Sequence, residues 1–427
     1  MIFHHVKALS NLADVKNVFL MGSYDEKKFI PFLDYVKTLF TFKIHYIKEE
    51  IEFNSPGGLF FYKDVILQDS PKAVFVMHCD ICCSFPLYDM LKQHRNIDSM
   101  FTIMTKQVEK DQAKKYGQIV YESSTQKLMH FAEKSDLYIS DMINCGVYLV
   151  SSKIFHHEQF EKIGNKYKRI LELSQDAESS EKLSKHQSVI NYCTEFIKFK
   201  DMINLVCNLG IGTIFILDQS KHFWQQVKTT KQLLYTQETY LNYYKEVDQN
   251  ILTHPPTMKD EQIEGIVCIH PTAEIHQDAK IGPNVTIGAY AKIGDGARII
   301  NSIILEDVIV QPHAVIINSI IGWTTVIGSW ARIEGLLNKA DCDKMMSKKI
   351  VSDDEPEDYY HNISNHPSCQ EQQRVLKSKA LEDLYMFIDG VTTVGGGVFV
   401  EPELHLRNVV VLPFRTVTES YFHQIIV

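Results

Sequence analysis

From Ile269 onward a bulky aliphatic residue returns every six positions: Ile269, Ile275, Ile281, Ile287, Ile293, Ile299 and Leu305. Three of them are followed directly by glycine, at Gly282, Gly288 and Gly294. A helix repeats at about 3.6 residues and an ordinary strand at about 2, so neither asks for six. A triangular coil of short strands does. Each flat face takes one inward aliphatic residue, and each corner takes a permissive residue such as glycine. The stretch predicts a parallel β-helix of hexapeptide type.

The ladder continues with breaks. Gln311 falls in the next inward slot and Ile317 restores the phase. A shifted register follows at Ile321, Ile327 and Ile333, with Gly322 and Gly328 behind the first two. A last run reads Ile388, Val394, Val400, Leu406 and Leu412. Between the two blocks, at about 337–385, the period vanishes and acidic residues gather (Asp353, Asp354, Glu355, Glu357, Asp358). That segment reads as an insertion projecting from one corner of the coil. Solenoid surfaces usually serve partners or self-assembly rather than covalent chemistry.

Residues 1–250 alternate strand-like and helical runs. Helices are expected at Met1–Leu12, Lys28–Phe40, Gly58–Leu67 and Pro86–His94, and strands at Asn17–Met21, Ile44–Ile47, Ala73–His78 and Met100–Thr105. Such alternation argues for an open, mostly parallel sheet with helices on both faces, whose ligands bind at the carboxyl ends of the strands. Asp80 sits just beyond one such end. Residues 251–268 read as a linker, and 269–427 as the coil.

Length and composition narrow the class. A chain of 427 residues has room for two or three domains, and a hydrophobic content of 45% supports a real core. The net charge of −9 excludes a general nucleic-acid binder, and no basic stripe with interleaved aromatics occurs. The nine cysteines lack zinc or disulfide spacing, which suits a reduced, cytoplasmic setting. The opening segment is too polar for a signal peptide, and no stretch is long enough to span a bilayer.

Several local signals carry two readings each. Ser55-Pro56-Gly57-Gly58 before a helix offers backbone N–H groups to a nucleotide, or is a simple turn. Asp80 offers a carboxylate to a divalent cation, or is a solvated strand end. Glu133-Lys134, ending the hairpin strand Lys127–Phe131, offers an acceptor for sugar hydroxyls and an ammonium for phosphate, or is an exposed ion pair. Asn144-Cys145-Gly146 opens the apolar strand Val147–Val150, where Asn144 bonds a sugar or serves as a turn residue. His313 in a solenoid loop evokes acyl transfer, or is a surface histidine.

Order and spacing bring these signals together. The chain resembles a sugar-phosphate nucleotidyltransferase domain, an α/β fold with a Rossmann-like mixed sheet whose first strand is absent here, followed by a left-handed hexapeptide β-helix, in the GDP-mannose pyrophosphorylase (mannose-1-phosphate guanylyltransferase) family. The resemblance runs through Ser55-Pro56-Gly57-Gly58-Leu59, Val76-Met77-His78-Cys79-Asp80, Asp89-Met90-Leu91, Tyr116-Gly117, Glu133-Lys134 and Asp141–Gly146. It continues through Ile269–Ala273, Gly282–Val285, Ile321-Gly322-Trp323 and Gln424-Ile425-Ile426. The Ile-Gly-Trp turn and the tail are similar to the alpha type rather than its catalytic sister.

By this resemblance Gly57 and Gly58 meet the guanine and ribose, and Asp80 holds magnesium. Tyr116, Gly117, Glu133 and Asn144 line a mannose pocket, and Lys134 meets the sugar-linked phosphate, although the family's following proline is Ser135 here. Two departures stand out. The family's glycine-rich phosphate loop belongs ahead of Met1 and has no counterpart in this sequence. Active members carry an aspartate two residues after a tryptophan, as second magnesium ligand; here that stretch is Trp224-Gln225-Gln226.

The resemblance therefore implies a regulatory, GDP-mannose-binding subunit, catalytically deficient, with a weakened Mg2+ site. Its expected partner is a catalytic beta-like subunit, with homo- and hetero-oligomers formed through the β-helix. An active guanylyltransferase making GDP-mannose and pyrophosphate from mannose 1-phosphate and GTP is the first alternative. A translation initiation factor 2B gamma-like exchange subunit is the second. A hexapeptide acyltransferase ranks last, since it needs no long α/β domain.

Overall fold

The computed structural model describes residues 1–49, 56–135, 137–165, 199–335 and 390–427. Ser55, Ile388 and the expected insertion at 337–385 lie outside these residues. The chain forms two compact units, Met1–Gln226 and Val227–Val427.

In the first unit, α1 (Ile2–Ser10) buries Val6 and Leu9, three residues apart on one face. β1 (Asn17–Gly22) and β2 (Lys43–Lys48) pair in parallel, with α2 (Ile30–Leu39) between them in sequence. The helix expected over Gly58–Leu67 is two helices, α3 (Gly57–Phe61) and α4 (Lys63–Ile66). Tyr62 separates them, with ψ at 19°, outside the helical range. Further on come β3 (Ala73–Met77), β4 (Ile81–Cys83) and α5 (Leu87–Ile97). β5 (Phe101–Gln107), β6 (Gly117–Glu122), β7 (Lys127–Glu133) and β8 (Met142–Ser151) follow. β9 (Gly212–Ile216) and β10 (Trp224–Gln226) complete the unit.

The main sheet has the order β3–β8–β5–β9–β7–β6. It is mixed, as the family resemblance implies, although the alternation of runs on its own points to a mostly parallel sheet. Only β5–β9 runs parallel, whereas β3–β8, β5–β8, β6–β7 and β7–β9 are antiparallel. Connection length explains the difference, because parallel neighbours need a crossover of about a dozen residues or more. β6 and β7 are joined by the short turn Ser123–Gln126 and can only form a hairpin. β8 lies between β3 and β5, and its residues Cys145 to Ser151 are buried without interruption, as a central strand requires.

The second unit is a parallel β-helix of the left-handed hexapeptide type, made of three all-parallel sheets of seven, six and six short strands. Its core is a column of inward aliphatics, Ile269, Ile281, Ile287, Ile293 and Ile299, each with almost no exposure. A small residue sits two positions before many of them, as at Ala279, Ala291 and Ala297, where the corner leaves little room.

The period of six does not run straight through. Ile269 stacks on Ile287, but Ile287 stacks on Ile304, one residue sooner than a full repeat. The corner between Ile299 and Ile304 is shortened and turns through Asn301, whose φ is +43°. The inward residues are therefore Ile304, Val310 and Ile316, not Leu305, Gln311 and Ile317, which are only half-buried. A separate shortened corner, turning through Asn408 at φ +55°, places Val411 inward and leaves Leu412 exposed. Ile321, Ile327, Ile333, Val394, Val400 and Leu406 are buried as expected.

Segments expected outside the coil belong to its unit. The helix Thr230–Val247 starts with a capping box of Thr229 and Gln232. Leu234 packs with Ile320 and Val391, and Gln237 and Glu238 hydrogen-bond Asn284, so this helix covers one coil face. The expected linker 251–268 is laid on the first turn: Ile263 bridges to Ile281, and Met258 enters the core. An open coil end exposes unpaired backbone and apolar surface that such a segment covers.

Candidate functional site

Asp80 stands where the chain leaves the main sheet. β3 ends at Met77, the His78 amide donates to the Gly146 carbonyl at 3.0 Å, and the next strand, β4, pairs with β10 instead. That antiparallel ribbon sets Gln226 opposite Ile81. The Gln226 amide nitrogen donates to Asp80 Oδ2 at 2.7 Å. The side chain at the position where the resemblance implies a second carboxylate thus turns an N–H donor toward Asp80.

This donor set does not fit a firmly held magnesium ion. Mg2+ needs near-octahedral oxygen ligands and is usually held by one or two carboxylates together with substrate phosphates. Here one oxygen of the Asp80 carboxylate is engaged by a neutral amide. Among the described residues Asp80 belongs to no group of three or more acids and histidines close enough to share an ion; the group that is close enough is His276, Asp278 and Asp295 on the coil.

The expected sugar-pocket residues are brought together by register. Gly117 opens β6 directly opposite Glu133 at the end of β7. A Cβ at Gly117 would come within 2.5 Å of the Phe131 ring and 3.2 Å of Glu133 Oε2, so glycine is required by close approach. The Lys134 amide donates to the Tyr116 carbonyl at 3.2 Å, and Gln118 pairs with Ile143, one residue before Asn144. Asn144-Cys145-Gly146 does not open a strand, contrary to expectation. It lies inside β8, where pairing with β5 slips between Ile103 and Thr105, and Gly146 has φ +70°. This is a β-bulge, and its left-handed residue is the glycine.

Trp224 stitches the surroundings. Its indole N–H donates to the Cys145 carbonyl at 2.9 Å, and its ring meets Tyr116 edge-on at 5.6 Å. Lys106 Nζ donates to the Trp224 carbonyl at 3.3 Å. Sequence reasoning missed Lys106, Tyr148 and His78 as neighbours of the site. For Tyr148 a signal existed: a tyrosine inside an apolar strand must satisfy its hydroxyl. The Asn144 side-chain nitrogen donates to that hydroxyl at 2.8 Å.

Gly57 and Gly58 open α3. A Cβ on Gly58 would fall 2.2 Å from Glu49 Oε1, and burial pushes the Glu49 carboxyl above its usual range. No described hydrogen bond links α3 to Asp80 or Asn144.

Burial also sets the chemistry available. It pushes the Cys83 thiol up to about 12, raises Cys145 and Tyr148 well above their ordinary values, and lowers the His5 and His78 imidazoles. Around neutral pH these thiols and the phenol stay protonated, so they act as neutral packing and hydrogen-bonding groups rather than nucleophiles. The arrangement can orient a hydroxylated ligand; it offers little to drive a reaction on one.

Comparison with known proteins agrees with this geometry. The nucleotidyl transferase family profile matches residues 1–241, and the profile described as the GMPPB C-terminal domain matches residues 263–427. The chain is similar to the mannose-1-phosphate guanylyltransferase regulatory subunit alpha of Dictyostelium discoideum, 32% identical over 100% of this chain and 90% of that protein. It is 33% identical to the regulatory subunit alpha-A of Danio rerio, over 100% and 92% of the two chains. It is also 31% identical to a probable mannose-1-phosphate guanyltransferase of Schizosaccharomyces pombe, over 100% and 91%.

Proposed function

Because the chain belongs to the mannose-1-phosphate guanylyltransferase family of nucleotidyl transferases, and lies among sequences bearing the regulatory alpha name, we propose that it is a regulatory subunit that binds GDP-mannose with little or no transfer activity of its own. The observation that carries this reading is the hydrogen bond from Gln226 to Asp80. Guanylyl transfer is an in-line attack by the sugar-phosphate oxygen on the α-phosphate of GTP, with pyrophosphate leaving. Catalysis of such a step comes mainly from cations and positioning. A neutral amide in place of a carboxylate weakens any magnesium at Asp80 and with it the charge compensation. The sugar side is better preserved, in Tyr116, Gly117, Glu133, Lys134 and Asn144, with Gly57 and Gly58 assigned to the guanosine.

The partner reading rests on the coil. One face is covered by the helix Thr230–Val247. On another, Ile309, Val326 and Phe399 stand side by side in register, with Ile309 and Phe399 both 40% exposed. Trp323 and Trp330 are 58% and 62% exposed at its corners. An uncovered apolar stripe of this kind marks an interaction surface. The occupant we favour is a second β-helix, from the catalytic subunit or another copy, which offers an equally flat face.

Turnover tests the reading. The full chain alone, given GTP, mannose 1-phosphate and magnesium, is expected to form GDP-mannose at background level. Robust synthesis that Asp80→Asn abolishes would overturn it in favour of an active guanylyltransferase.

A further inference from the structure

Tyr148 is buried to 0% exposure, yet carries a hydroxyl in the middle of the main sheet. Its backbone pairs with Val76 on one side and Ile103 on the other. Its ring is clamped by Phe199, stacked at 5.4 Å, by Phe101 at 5.8 Å and by His78 at 5.6 Å. The hydroxyl accepts the Asn144 side-chain N–H at 2.8 Å.

That bond needs the bulge. Residues four apart on a regular strand stand about 13 Å apart. The left-handed turn at Gly146 contracts β8 and brings the Asn144 amide onto the Tyr148 hydroxyl. The same kink presents the Gly146 amide to Asn144 Oδ1 at 2.9 Å. A backbone N–H can only donate, so the amide oxygen must face Gly146 and the nitrogen must face Tyr148. Both ends of Asn144 are tied, and its orientation is single. What remains is one side-chain N–H and one lone pair on Oδ1, a pair that matches a sugar hydroxyl, which both accepts and donates.

We propose that Tyr148 is a positioning residue, which through the bulge at Gly146 locks the Asn144 amide in one orientation and so determines recognition of the sugar hydroxyls of a nucleotide sugar. This rests on the reading that such a ligand occupies the site. Tyr148 need not touch the ligand; it acts through Asn144.

The test compares two ligands, GDP-mannose and GDP, by calorimetric titration of the full chain. Tyr148→Phe keeps the ring and its packing and removes one oxygen. Loss of a hydrogen bond of ordinary strength corresponds to about a threefold to tenfold weakening, expected here for GDP-mannose, with GDP affinity unchanged. Asn144→Ala is expected to remove the same preference, and adding Tyr148→Phe to it to change nothing further, as for coupled residues. Equal weakening for both ligands in Tyr148→Phe, or losses that multiply in the double variant, would refute the assignment while leaving nucleotide-sugar binding intact. Wild-type protein that binds GDP but shows no preference for GDP-mannose would refute the sugar-pocket reading and this assignment together.

Discussion

Gln226 and Asp80 face each other at 2.7 Å, a distance at which the identity of one atom decides the chemistry. With nitrogen there, the pair is a neutral-to-anion hydrogen bond that holds β10 on β4. With oxygen, it would be two like charges, which repel unless a cation joins them. Gln226→Glu keeps the shape and makes that exchange. Without metal at pH 8 the variant is expected to lose up to about 4 kcal/mol, the repulsion of two unit charges about 4 Å apart at an effective dielectric constant of about 20. Millimolar Mg2+ is expected to restore its Tm and to leave the wild type unmoved. An equal magnesium response in both proteins would mean that the amide does not govern the site. The sequence alone points to position 226 through its spacing from Trp224, but not to the bond with Asp80. That bond depends on β4 leaving the main sheet, which no local pattern announces.

Among the elements, the coil shows how far a hydrophobic period can be read and where it stops. Six-residue spacing locates the strands from Ile269 to Ile299 because every inward slot must hold an aliphatic side chain. It fails after Ile299, since a corner can be shortened without any change in composition, and isoleucines at both Ile303 and Ile304 hide the slip. Leu305 looks like the next rung and is not. Ile304→Ala is accordingly expected to cost about 2–4 kcal/mol in chemical denaturation, and Leu305→Ala less than about 1 kcal/mol. The reverse order would restore the straight six-residue register. In the first unit, alternating runs give the strands but not their direction. Short connections such as Ser123–Gln126 hold that information, which is why alternation alone suggests a mostly parallel sheet where the strands form a mixed one. The residues that the resemblance assigns to the sugar stand in spaced motifs, whereas Tyr148 lies inside an apolar run and is marked only by its hydroxyl.

At the scale of the whole molecule, a nucleotidyl transferase unit in which an amide bonds Asp80 is joined to a coil with one face covered by a helix and an exposed apolar stripe on another. Among the described residues no helix is long and apolar enough to cross a membrane. Such a chain suits a sensor that reports the level of a nucleotide sugar to a partner rather than one that makes it. The claim beneath everything else is that the first unit still binds the product of the family's reaction. Calorimetric titration of the full chain with GDP-mannose addresses it directly. Saturable binding at one site per chain is expected, without added magnesium. Absence of heat, and of any thermal shift, at millimolar GDP-mannose would contradict it.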